Sequence, residues 1–300
     1  MKKTYNNLGH NDLVAFVHIP KTAGTTLNSI LNHQYSPAET HEIMMRGMSL
    51  ILPRPRIIPK PLISFSKIRR LKAALAGHTV RLIRGHFDMS LSKHLPSNTQ
   101  FFTLLRDPVE RAISHFYHYR RATTDPIHPL AMRSTLIEWV SASGVVEMDN
   151  GQTRRLAGEM NVPCGRVTLQ MLDRAKANLA KNFAVIGLTE RFDESLILLH
   201  RQFGWPLQRV RDLNIGENRP QRTDLSKETR KILDDCNHFD LDLYQFASDL
   251  FEQAVSKIDM EGELVRLGVA SHELALRQVG EIAAHHVGDL RLGEGRLKGW

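Results

Sequence analysis

Three groups of residues in this 300-residue chain have side chains suited to holding an anion or moving a proton. The first is Lys21-Thr22-Ala23-Gly24-Thr25-Thr26, which sets a cation, hydroxyls and a glycine in six consecutive positions. A cation, hydroxyls and exposed backbone N–H groups together are what cradling a phosphate requires. The second is Arg106 with Ser114 eight positions later. Taken alone, an arginine pairs with a carboxylate and a serine packs silently. The third is His86, the side-chain type whose unperturbed pKa lies near neutrality, as a general base for a hydroxyl requires. A histidine held by a backbone carbonyl at a strand end is the competing reading.

The elements that must position these groups follow from the apolar pattern. Leu13 to Ile19 is a short β-branched run that Pro20 ends, and Leu27, Ile30 and Leu31 follow at helical spacing. Strand, small-residue turn and helix in that order aim backbone N–H groups and the positive end of a helix dipole at one point. The Walker pattern G-x-x-x-x-G-K-[ST] is absent, since Lys21 precedes Gly24. Val80 to Ile83 reads as a second buried strand running into Arg84-Gly85-His86-Phe87, and Gln100 to Leu105 as a third. Asp107 is a good N-cap, Pro108 suits the first helical position and Glu110 completes a D-x-x-E capping box, predicting a helix over 108–121. Arg106 and Ser114 then both face the crevice above the strand ends, where open α/β sheets bind ligands. Glu110 is an alternative base, occupied by its place in the box.

Composition bounds the class. With 42% hydrophobic and 24% charged residues the chain can bury a substantial core. A net charge of +8 and a pI near 9.6 predict attraction to anions. The two cysteines, Cys164 and Cys236, form no C-x-x-C, so reduced thiols are expected rather than a zinc site or disulfide framework. The N-terminal thirteen residues carry no apolar h-region, and no apolar run approaches the ~18–20 residues of a membrane span. A cytoplasmic protein is expected. Fifteen histidines make coincidences such as His115 with His118, or His285 with His286, unremarkable as metal spacings. The aromatics Phe116, Tyr117 and Tyr119 beside Arg120 and Arg121 match no nucleic-acid motif, so no specific nucleic-acid partner is expected.

The string HIPKTAGTT resembles the 5′-phosphosulfate loop of the sulfotransferases of the heparan sulfate 2-O-sulfotransferase type and their bacterial relatives. R-D-P-V-E-R-A-I-S, from Arg106 to Ser114, is similar to that family's 3′-phosphate motif, and Gly85-His86 to its motif carrying the catalytic histidine. Where relatives have H-G-H this chain has Arg84-Gly85-His86, so any task of the first histidine is altered here. The resemblance covers roughly residues 13–251 and implies 3′-phosphoadenosine 5′-phosphosulfate as donor. It implies binding by Lys21, Thr22, Ala23, Gly24, Thr25, Thr26, Arg106 and Ser114, and catalysis by His86 and Lys21. Arg219 and Arg222 are candidates to close over the nucleotide, or else solvated arginines. Because a sulfuryl group carries less charge than a phosphoryl group, no metal is expected. The acceptor implied is a hydroxyl on a glycan or glycolipid. The animal relatives are membrane-anchored Golgi proteins, a departure from the location expected here.

The rest of the chain is organised around this core. Residues 32–61, with the proline-rich ILPRPRIIPKPLI, read as an irregular loop, and Lys67 to Ala76 as a short helix. Leu136 to Ala142 is a helix with Trp139 in the core. Asp149-Asn150-Gly151-Gln152-Thr153-Arg154 either faces the acceptor or starts a helix. Ala175 to Lys181 is a helix, Asn182 to Leu188 a fourth strand, and a further helix runs through Phe203. Residues 204–224 read as a loop; Ser226 to Cys236 and Leu241 to Val255 are helices. Leu264, Leu267, Leu274 and Ile282 suggest one more helix, and 288–300 a tail. The expected architecture is α/β: a central parallel sheet flanked by helices, P-loop-like at its first strand, with a helical C-terminal portion. A sulfotransferase domain is expected over 1–257, its donor core at 13–122 and its acceptor and closing region at 123–257, with an extension over 258–300. A P-loop kinase or other nucleotide-binding protein, and a non-catalytic polyanion-binding protein, are the alternatives; only a 3′-phosphate site at Arg106 and Ser114 separates the first, and salt-sensitive binding without a base the second.

Overall fold

A computed structural model describes residues 12–43, 65–141, 145–207 and 219–268. In chain order its elements are β1 (Val14–Val17), α1 (Gly24–Gln34), β2 (Thr40–Ile43), α2 (Phe65–Ala76), β3 (Leu82–Gly85), β4 (Gln100–Leu105), α3 (Pro108–Arg121), α4 (His128–Arg133), α5 (Leu136–Ser141), α6 (Gly151–Ala157), α7 (Leu169–Asn182), β5 (Phe183–Leu188), α8 (Phe192–Phe203), α9 (Lys227–Cys236), α10 (His238–Val255) and α11 (Met260–Arg266). The strands form one five-stranded sheet in the order β2-β3-β1-β4-β5, every neighbouring pair parallel. β1 lies between β3 and β4 and is buried along its whole length, which is why it reads as a continuous apolar run rather than an alternating one. After β1 the chain turns toward β2 and β3, and after β4 toward β5. The two connections part at the carboxyl ends of β1 and β4, where such sheets open a ligand crevice.

The described apolar side chains form two large packed regions and a small third one of Ile197, Leu264 and Leu267. The larger core joins the sheet to α1, α7, α8 and α10; a second cluster packs Val109, Ile113 and Phe116 of α3 against Trp139 of α5 and Leu233 of α9. Trp139 is fully buried, as expected, and its indole N–H donates to His115 Nδ1 at 3.3 Å, so that histidine is a core residue. The string from Asp149 to Arg154 starts a helix, one of its two readings: Gln152, Thr153 and Arg154 are buried in the first turns of α6. Asp240 accepts the N–H groups of Gln152 (3.0 Å) and Thr153 (2.7 Å), capping α6. In return the Asn150 side-chain oxygen accepts those of Phe239 (2.9 Å) and Asp240 (3.1 Å), capping α10. Each helix thus satisfies the other's orphan donors.

Several boundaries differ from those expected. β2 lies within the stretch read as irregular. It pairs only with β3 and buries only Ile43, so an edge strand with the sequence Thr-His-Glu-Ile carries little apolar signal. β3 runs two residues later than expected, taking Arg84 and Gly85 into register with Phe16 and Val17. α7 starts at Leu169 behind a Thr168 cap, and α10 at His238. The proline-rich segment 51–63, the helix expected through Leu274 and Ile282 and the tail 288–300 lie outside the described residues.

Gly85 is obligatory where it stands: its φ is 139°, and a Cβ there would overlap the backbone carbonyl of Ile43 across the ladder. Gly85→Ala is therefore expected to cost about 3 kcal/mol of stability, read as a lower urea midpoint at unchanged slope. A wild-type midpoint would mean that β2 moves aside freely.

Candidate active site

The loop between β1 and α1 turns through two left-handed residues, Lys21 (φ 70°) and Ala23 (φ 58°). Thr22 is fully buried and donates its hydroxyl proton to the Ile19 carbonyl at 2.9 Å, so its side chain shapes the turn. The first intrahelical bond of α1 runs from the Leu27 N–H to the Ala23 carbonyl at 3.1 Å, so the N–H groups of Gly24 and Thr25 point out of the helix at its positive end. His18 lies beneath this loop, stacked on Phe16 at 5.2 Å, and a Cβ on Gly24 would overlap its imidazole. Only glycine lets the loop approach that ring.

Charge at the loop is one-sided. Burial, and then the guanidiniums of Arg106, Arg121 and Arg219, lower the Lys21 ammonium to a pKa of about 8. Among the described residues, the charges that bear on it are cations. Arg106, at the end of β4, donates from Nη1 to the Lys21 carbonyl at 3.2 Å. Its backbone is gripped from α6, with its N–H donating to Gln152 Oε1 (3.1 Å) and its carbonyl accepting from Gln152 Nε2 (2.9 Å). Glu190 lies 3.8 Å from Arg106 Nε, while its Oε1 accepts the Asp107 N–H at 3.1 Å and its Oε2 the Tyr244 hydroxyl at 2.8 Å. Burial raises the Glu190 pKa, and burial followed by Arg219 lowers that of Arg106. Arg106 Nε is buried without a hydrogen bond.

His86 follows Gly85 at the same edge of the sheet. Its Nδ1 is 3.1 Å from the His18 carbonyl, and the two rings are 4.2 Å apart. A carbonyl only accepts, so Nδ1 carries the proton and Nε2 the lone pair. Burial and then Arg155 lower the His86 pKa, against the His18 carbonyl and Glu147, which raise it. Burial, followed by His86 and Arg155, lowers His18 further. His86 is thus held neutral, with Nε2 able to accept a proton. Arg84, which stands at the first position of the H-G-H string, turns to the edge of the sheet: Nε donates to Glu42 at 3.0 Å and Nη1 to Asn32 at 2.7 Å.

With this geometry in place, comparison with known proteins places the chain. The sequence model of the sulfotransferase family matches residues 8–247. The chain belongs to this family. It is 28% identical to human heparan-sulfate 6-O-sulfotransferase 3 over 282 residues, which cover 82% of this chain and 59% of that relative. It is 26% identical to chicken heparan-sulfate 6-O-sulfotransferase 2, covering 82% of this chain and 68% of the other. Human heparan-sulfate 6-O-sulfotransferase 1 is 26% identical over 275 residues, 81% and 66% of the two chains. The chain therefore spans about three fifths of the length of the first of these relatives. These relatives carry the 6-O name, whereas the motifs were matched to the 2-O type.

Against the expected site of this sulfotransferase-family chain, the structure gathers Lys21, Arg106 and Arg219 at one end of the crevice and places His86 beside the loop. Ser114 is half-buried on α3, two turns beyond the Asp107 cap. The capping box is corrected. Asp107 alone caps α3, accepting the N–H groups of Val109 and Glu110 at 2.9 Å each. Glu110 reaches the other way, accepting Arg219 Nη1 at 2.9 Å and the Arg222 N–H at 2.6 Å. Arg222 pairs with Asp107 (2.8 Å) and Asp234 (3.1 Å), so neither arginine is simply solvated. Sequence reasoning missed His18, Glu147, Gln152, Arg155 and Glu190. Gln152 stood inside a motif already noted and Arg155 one residue past it, but an isolated Glu147 gives no signal.

The pKa of Lys21 has a measurable sign. Below about 8 it is charged and above it neutral, and a bound anion favours the charged form. Affinity for 3′,5′-ADP is therefore expected to be flat at lower pH and to fall by up to tenfold per unit above about 8. Calorimetry on both sides of that value checks it; Lys21→Met should bind weakly and lose the slope.

Proposed function

We propose that this chain transfers a sulfuryl group from 3′-phosphoadenosine 5′-phosphosulfate to a hydroxyl of a carbohydrate. The observation that carries this reading is the pairing of Lys21, its carbonyl taken by Arg106, with a histidine at the end of the neighbouring strand whose Nδ1 is tied to the His18 carbonyl. Membership of the sulfotransferase family supports it, and relatives named for heparan sulfate support a glycan acceptor. The residues fit the donor: the described cations gathered at Lys21 and a buried Arg106 Nε without a hydrogen bond suit anionic groups at both places.

When bound, the donor supplies an activated sulfuryl group and leaves as 3′,5′-ADP. Lys21 and the first-turn N–H groups of α1 hold its 5′ end and offset charge developing there, the kind of preorganised electrostatic stabilisation that acts without reorganisation. Arg106 and Ser114 hold the 3′-phosphate, with Arg106 fixed from behind by Gln152 and Glu190. Arg219 and Arg222, anchored on Glu110 and Asp107, border the same end and close it. The acceptor hydroxyl gives its proton to His86 Nε2 as it attacks, while Nδ1–H remains on the His18 carbonyl.

Incubation with ³⁵S-labelled donor and a panel of desulfated and uronate-containing glycans tests the reading. Labelled glycan is expected with wild type, and His86→Ala should lower the rate by ~10²-fold or more while 3′,5′-ADP affinity stays near wild type. Arg106→Ala should weaken 3′,5′-ADP by roughly one to two orders of magnitude. Equal affinity of the wild type for 3′,5′-ADP and 5′-ADP would reject the donor assignment, and a fully active His86→Ala the base.

A further inference from the structure

The residue after His86 is held by a group that is not needed to bind a nucleotide. Arg155, on α6, is fully buried. Its Nη1 donates to the Phe87 carbonyl at 3.1 Å and its Nη2 to Glu147 Oε1. Its Nε is buried without an acceptor. Glu147 is itself buried and also takes Arg111 Nη1 at 3.2 Å on its second oxygen. Ion pairs so deeply buried rarely outdo apolar packing of the same volume, and an unsatisfied N–H weakens the case further. Stability alone is a poor reason for a guanidinium at this place. Its geometry supplies another. The Gly85–Phe87 turn is fixed at Gly85 against β2, at the His86 ring by the His18 carbonyl, and at the Phe87 carbonyl by Arg155.

We propose that Arg155 is the positioning residue of the base: bridged to Glu147, it locks the turn that carries His86 and sets a balanced pair of charges behind the imidazole. This rests on His86 being the base. Arg155 acts through the Phe87 backbone and through its field, and touches no substrate. Among the described residues, the charged and titratable groups that bear on His86 are Arg155 of α6, Glu147 just before that helix, and His18 of the loop after β1, which in turn feels Lys21 and Arg84. Arg155 opposes the imidazolium and Glu147 favours it, so the two members of the bridge have opposite electrostatic effects on one ring.

That opposition gives a test that a role in folding alone would not pass. The His86 imidazole is titrated by NMR in the ligand-free protein, its resonance assigned by loss in His86→Ala, and the acid limb of the pH–rate profile is recorded alongside. Glu147→Gln keeps the shape and leaves Arg155 uncompensated, so the His86 pKa and the acid limb are expected to move down by roughly one unit. Arg155→Gln should move both up by a similar amount and reduce kcat at the plateau, with little change in 3′,5′-ADP affinity; Arg155→Lys should restore the pKa but not the whole of kcat, since one ammonium does not span both acceptors. Shifts of the same sign in Glu147→Gln and Arg155→Gln, or none, would overturn the proposal. Should either glutamine variant not fold, the other decides by the sign of its shift, and Arg155→Lys decides if neither folds: a wild-type kcat in it overturns the proposal. If the ring shifts appear while His86→Ala keeps its rate, it is the base assignment that fails, and with it the positioning role.

Discussion

A single buried carboxylate organises this molecule. Glu147 accepts a guanidinium from α3 on one oxygen and a guanidinium from α6 on the other, and Arg111 continues to Asp240 on α10 at 3.6 Å. Two cations face two anions with almost no exposed surface, so removing any one leaves an uncompensated charge in a low-dielectric interior. The group also settles where things point. α3 begins at the end of β4, α6 grips the backbone of Arg106 and reaches the turn behind His86, and α10 caps α6. The edge of the sheet that carries His86 and Arg106 is thus fixed from behind by polar contacts whose directions are specific, which apolar packing alone does not provide.

The front of the site is built on the opposite principle. Around Lys21 the cations are gathered without a carboxylate of the loop's own, and the acids that hold the arginines, Asp107, Glu110, Glu190 and Asp234, stand behind or beside them. Arg106 and Arg219 keep their directions through those acids, while the described charges that bear on Lys21 are cations. Burial contributes most to lowering that ammonium, and the neighbouring guanidiniums follow.

The sheet and its loops were readable because their causes are local. β1, β4 and β5 are short apolar runs ended by polar or small residues, and the Asp107–Pro108 start of α3 is a capping signal within three positions. β2 was not readable, since an edge strand that buries one residue resembles a loop. The site divided in the same way. The loop at Lys21, His86 and Arg106 stand at strand ends that the sequence marks, whereas Glu147, Arg155 and Glu190 owe their importance to partners far away in the chain. Glu110 illustrates the limit: its spacing from Asp107 predicted a local box, and a pair of arginines more than a hundred residues on took its carboxylate instead.

The reciprocal cap between α6 and α10 has a consequence for the order in which the molecule is assembled. The Asn150 side chain and the Asp240 carboxylate are separated by some ninety residues, so each helix start waits on a distant partner. A chain emerging from the ribosome makes β1, β3, β4 and α3 long before the acid that completes α6. Until Asp240 arrives, the N–H groups of Gln152 and Thr153 have no carboxylate, and the grip on Arg106 and the guanidinium behind His86 hang on an unfinished helix. Closing so long a loop is entropically slow, and a helix synthesised late finishes a site whose visible residues are among the first.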